Sequence, residues 1–248
     1  MTTAKDVSLA LAQALARPYA SVEAYGLALR RNGWWDPAKR GRGARAMTTR
    51  EAAQLLLAVL SEGPSTLGSR EEEESFFKTY STLQPSRHGK DQLFDAVAKE
   101  LEIDFPASFL DYIEGFVRLF RNGKAEEVIH VWAADPHAPA YEWRGPTIHI
   151  EVSGPYPRAE ISFSPSAAFS ARHALQMAEH RGIIRLDFHL ATISSSWVFE
   201  RDGYENVSVR SEVDGIFEAY DRGVRFARII GAREVDAVAK ALAKPVQQ

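Results

Sequence analysis

The sequence predicts an α+β fold: a helical, winged-helix-like N-terminal unit followed by a mixed, mainly antiparallel sheet domain. Three observations carry this expectation. Apolar residues recur at helical spacing through about residue 122, alternate with a period of two beyond about residue 125, and the two regimes are separated by Gly123. The expected division is a helix-turn-helix-like unit over 1–65, a helical segment over 66–124 and a sheet domain over 125–248.

The elements follow in order. Val7, Leu11, Ala14 and Leu15 share a helical face that Pro18 terminates. Ser21 is suited to cap a second helix, with Val22, Tyr25 and Leu29 on its inner face and Gly33 just past its end. Thr48 and Glu51 have the spacing of a capping box and open a third helix carrying Ala52, Leu55, Leu56, Val59 and Leu60. Ser69 and Glu72, the latter in the acidic run Glu71–Glu74, repeat that box ahead of Phe76, Phe77 and Tyr80. Further helices carry Leu93, Val97 and Leu101, then Phe109, Ile113, Phe116, Val117 and Phe120, with Pro106 in the first turn of the latter.

In the second half Ile148, Ile150 and Val152 alternate with His149 and Glu151. Ile161 and Phe163 continue the pattern after Gly154-Pro-Tyr-Pro157, which reads as a hairpin with one buried face. Ile184, Leu186, Phe188 and Leu190 form another alternating run. Strands are also expected around 197–200, 206–210, 215–220 and 224–230, with helices over 168–179 and 232–243.

Composition limits the chemistry. The chain has 248 residues, 45% of them apolar, enough for a substantial core. It has no cysteine, which excludes disulfides, thiol nucleophiles and Cys-ligated metals. No apolar run reaches a membrane-spanning length and the first residues lack a signal-peptide layout, so a cytoplasmic protein without membrane contact is expected. Charge is divided unevenly. Residues 1–50 hold nine basic and three acidic side chains, a net of +6, while the remaining 198 net −9. That asymmetry points to a local anionic partner.

The basic region coincides with the helix-turn-helix order. After the second helix, Gly33-Trp-Trp35 leads into Lys39-Arg-Gly-Arg-Gly-Ala-Arg45. In a winged helix-turn-helix the second helix enters the major groove and the loop follows phosphates or the minor groove. Glycines admit close backbone approach and guanidinium groups grip phosphates with paired hydrogen bonds. The candidate DNA contacts are therefore Ser21, Arg30, Arg31, Lys39, Arg40, Arg42 and Arg45. The face opposite the buried stripe presents Ala24, Leu27 and Arg31, few of which read base edges. Specificity would then come from Arg31, Ser21 or the geometry of a homodimer, or binding would be largely driven by the phosphate backbone. Trp34 and Trp35 either anchor the loop to the core, the favoured reading, or stack on single-stranded bases.

Tyr25-Gly-Leu-Ala-Leu-Arg-Arg-Asn-Gly-Trp34 and Gly41-Arg-Gly-Ala-Arg-Ala-Met-Thr48, followed by an Ala/Leu-rich helix, resemble the N-terminal part of uncharacterised prophage proteins of alphaproteobacteria. The resemblance covers about a fifth of the chain, with the Ser153–Pro157 hairpin adding support. It implies a phage or mobile-element transcriptional regulator that binds duplex DNA, and it carries no family site residues.

Enzyme signatures are weak. Gly41-x-Gly43-x-x-Ala46 follows no apolar strand, which argues against a dinucleotide fingerprint. No phosphate loop is present, no histidine pair has zinc spacing, and Ser194–Ser196 lacks a nucleophile elbow. His149 with Glu151, and Asp187 with His189, share strand faces and mark the alternative of an enzyme with its site in the sheet. A third alternative is an interaction module whose basic loop binds an acidic protein. No cofactor or metal is expected.

Overall fold

The computed structural model describes residues 2–36, 45–61, 77–85, 91–125, 128, 147–154, 157–164, 184–189 and 226–243. The Ser69/Glu72 box, the helix expected over 168–179 and the strands expected between 197 and 220 lie outside these residues.

Helix α1 (Ala4–Ala14) begins at a capping box in which the Asp6 carboxylate accepts the Thr3 N–H at 2.8 Å. It ends before Pro18 is reached. Ala16 adopts φ 52°, and the Arg17 N–H closes back onto the Ala12 carbonyl at 2.9 Å. Helix α2 (Tyr19–Arg31) starts directly after Pro18, three residues earlier than the Ser21 cap predicts. Ser21 lies inside the first turn and its N–H bonds to the Pro18 carbonyl at 3.0 Å, because Pro18, whose own nitrogen needs no partner, already occupies the capping position. Helix α3 (Thr49–Leu60) opens on the expected Thr48/Glu51 box.

Every residue from Ala52 to Leu60 is buried, so α3 is covered all round and not on one face alone. A two-residue strand β1 (Gln84–Pro85) precedes α4 (Asp91–Glu100) and α5 (Phe109–Arg121). Pro106 is not in the first turn of α5. The helix starts three residues later, where Asp111 accepts both the N–H and the hydroxyl of Ser108 at 2.6 and 2.7 Å.

Strands β2 (Thr147–Gly154), β3 (Arg158–Ser164), β4 (Ile184–His189) and β5 (Phe226–Gly231) join β1 in one sheet of order β1-β4-β3-β2-β5. Each described pairing is antiparallel. Ile148 faces Phe163, Ile150 faces Ile161 and Val152 faces Ala159, the register that the alternation requires. Ile148, Ile150, Val152, Ile161, Phe188 and Ile230 are fully or almost fully buried, and His149 is exposed.

Helix α6 (Ala232–Ala243) follows β5 without a loop and packs on both α1 and α5. Thr2 donates its hydroxyl to the Ala241 carbonyl at 2.9 Å, tying the two ends of the described chain together. The helical layer meets the sheet through α5: Phe188 lies 5.0 Å from the Phe109 ring and 5.1 Å from the Tyr112 ring. Tyr80 adds a hydrogen bond to the Ser153 carbonyl at 2.7 Å. One cluster of buried side chains therefore runs from Val7 through Leu29, Leu56 and Val117 to Ile150 and Leu242, across the boundaries expected at 65 and 124. No helix among the described residues is long and apolar enough to cross a membrane.

Candidate nucleic-acid interface

Helix α2 is positioned by a narrow buried stripe. Val22, Gly26 and Leu29 face inward, whereas Tyr25, expected there, is only half-buried. Gly26 takes the inner place because Trp35 lies against it: a Cβ at Gly26 would come within 3.1 Å of the Trp35 ring. The chain reaches that position through Gly33, at φ +76°, where the Trp34 N–H bonds the Leu29 carbonyl at 2.9 Å. Trp35 is 3% exposed and the Arg30 guanidinium sits over its ring, 5.3 Å from the centroid. The Trp34 and Phe77 rings pack edge to face with their centroids 4.7 Å apart. Both indoles thus pack on the protein, and Trp35 has no face left for a base.

The outer face of α2 carries Ala20, Ala24, Leu27 and Arg31, with Ser21 and Glu23 on its flanks, all exposed. Glu23 accepts the Tyr19 hydroxyl at 2.8 Å. Burial, reinforced by that hydrogen bond, pushes the Tyr19 phenol up to about 12, which leaves it a neutral donor. Around Arg31 this face offers small and apolar groups more than base-reading amides.

The seven sequence-predicted contacts separate into three groups. Ser21 and Arg31 are exposed on α2, and Arg30 is half-buried against Trp35. Lys39, Arg40 and Arg42 lie outside the described residues. Arg45 is engaged by the protein itself: one guanidinium nitrogen is 3.3 Å from the Asp36 carboxylate and another bonds Glu51. Asp36 and Glu51 are the participants that sequence reasoning missed. Glu51 is legible as a helix cap, but its second carboxylate oxygen and its approach to Arg45 depend on how the chain returns to α3.

His149 and Glu151 lie on β2, Asp187 and His189 on β4, and β3 runs between them. Two strand spacings place the pairs roughly 10 Å apart. Glu151, Glu160 and Asp187 occupy one cross-strand row, where Glu160 pairs with Arg158 at 3.6 Å. Among the described residues no group of three or more His, Asp or Glu could hold a metal ion. No protein-family model matches the chain, and neither a curated protein nor a solved structure does.

Proposed function

We propose that the chain binds duplex DNA through the outer face of α2 and the Arg/Gly segment that follows it, in the manner of a winged helix-turn-helix regulator of a phage or mobile element. The observation that supports this reading best is electrostatic. The net +6 of residues 1–50 is concentrated where α2 ends in Arg30 and Arg31 and the chain continues into Lys39, Arg40 and Arg42, while the rest of the molecule is acidic. An acidic body and a basic edge orient a polyanion toward that edge. The neutral remainder of the α2 face implies that phosphates supply most of the affinity and that Arg31 is the principal base reader.

The test is a salt series with a duplex from the chain's own upstream DNA. Replacing Lys39, Arg40 and Arg42 together by Gln should weaken binding and flatten the slope of log affinity against log salt by about 0.9 per residue. Arg31→Gln should in addition narrow the gap between specific and nonspecific duplexes. Equal affinities and slopes for wild type and triple variant would overturn the reading. The exposed Leu27, 41% accessible, favours a protein surface as the second reading, which absence of any duplex binding would bring forward.

A further inference from the structure

Arg45 has two acidic partners on anchored stems. Its guanidinium bridges Asp36, the last described residue after α2, and Glu51 in the first turn of α3. The ion pair therefore joins Asp36, after α2, to Arg45, ahead of α3. Both stems are fixed independently. On the α2 side, buried Trp35 bonds the Leu29 carbonyl through its N–H at 3.3 Å. On the α3 side, buried Met47 donates its N–H to the Thr2 carbonyl at 2.9 Å, and Glu51 accepts the Thr48 N–H at 2.9 Å. Glu51 is ordered by its capping role before Arg45 arrives, so the pair loses less side-chain freedom than two unconstrained surface groups would.

The charge balance decides what Arg45 can do. One cation between two carboxylates leaves a local net of −1. A phosphate approaching Arg45 must displace both acids or be repelled by them. We infer that Arg45 is a positioning residue that clamps the base of the basic segment, and that it is not itself a phosphate contact. This inference rests on the duplex-binding reading only for the word contact; the clamp stands or falls without DNA.

Native-state trypsin digestion reads the clamp directly, through cleavage after Lys39, Arg40 and Arg42 followed by mass spectrometry. Arg45→Gln should accelerate cleavage at these bonds several-fold, and Asp36→Asn, an exposed change with no part in the core, should do so as well. The double variant should be no faster than Arg45→Gln alone, because the two residues act as one link. Wild-type cleavage rates in both single variants would overturn the clamp. In the salt series, Arg45→Gln should lower affinity a few-fold at every salt with the slope unchanged, and a slope reduced by about 0.9 would instead make Arg45 a phosphate contact. Accelerated cleavage with no duplex binding by the wild type would uphold the clamp and refute the duplex-binding reading.

Discussion

Ala16 ends α1 at φ 52°, a conformation that disfavours a side chain with a Cβ by roughly 1–2 kcal/mol. It does so because the Arg17 and Ala16 N–H groups close the helix onto the Ala12 and Gln13 carbonyls. Ala16 is exposed, so no packing depends on its methyl. Ala16→Gly should therefore stabilise the protein by about 0.5–1 kcal/mol after the larger entropy loss of glycine, measured by urea unfolding. Asp111 is governed by charge. Burial raises its pKa, but the hydrogen bonds from Ser108 and the charge-assisted bond from Arg50 outweigh it, so the folded value lies below the ordinary 3.8. A depressed folded pKa contributes stability that is fully present above the ordinary value and lost as pH falls through the lower, folded value. Asp111→Asn should destabilise at pH 7, and its gap from wild type should close on acidification below about pH 4, followed by unfolding at each pH. Neither residue is conspicuous in the sequence. Ala16 is an ordinary helix former, and Asp111 acquires Arg50 from a helix 61 positions away.

Helix starts are written locally, and helix surroundings are not. The box Thr48/Glu51 is legible because its partners lie three residues apart; Thr3/Asp6 and Ser108/Asp111 use the same geometry with the shorter acid. The alternation of Ile148, Ile150 and Val152 likewise fixes the inner face of β2, since a one-residue slip would turn all three to solvent. The total burial of α3 could not be read from its own pattern, in which Ala53, Gln54 and Ala58 look like an outer side. Elements distant in sequence, α5 and α6 among them, pack against α3. Close approach of the turn that follows α4 also explains Gly115 of α5. A Cβ there would lie 2.9 Å from the Cβ of Leu101 and 3.1 Å from a terminal carbon of Ile103. Leu101 cannot yield without moving its backbone, so Gly115→Ala should destabilise by about 1–3 kcal/mol despite the better helix propensity of alanine, as a lowered thermal midpoint would show.

At the scale of the molecule, α1, α6, α5, α3 and α2 contact one another in a closed circuit. The C-terminal helix fills the place between the first helix and α5, so the N-terminal unit is completed by the other end of the chain. A fragment of residues 1–65 should consequently lack a cooperative thermal transition, because Val7 and Leu11 lose α6, and α3 loses α5. Calorimetry of the fragment beside the full chain checks this. A sharp transition in the fragment would show that the first three helices carry their own core.

The sequence by itself determined the change from helix to sheet, the start of α3, the limits of α6, the inner face of the β2–β3 pair and the basic excess of the first 50 residues. All of these depend on neighbours within a few positions, through periodicity, capping and local charge. Tertiary structure alone decided that α6 closes the helical layer, that Gly26 makes room for Trp35, and that Arg45 is shared between Asp36 and Glu51. Those outcomes depend on which surfaces remain to be covered once every element has formed. The physical reason is the close packing of the interior, which lets a residue be judged only against the side chains that reach it from the rest of the chain.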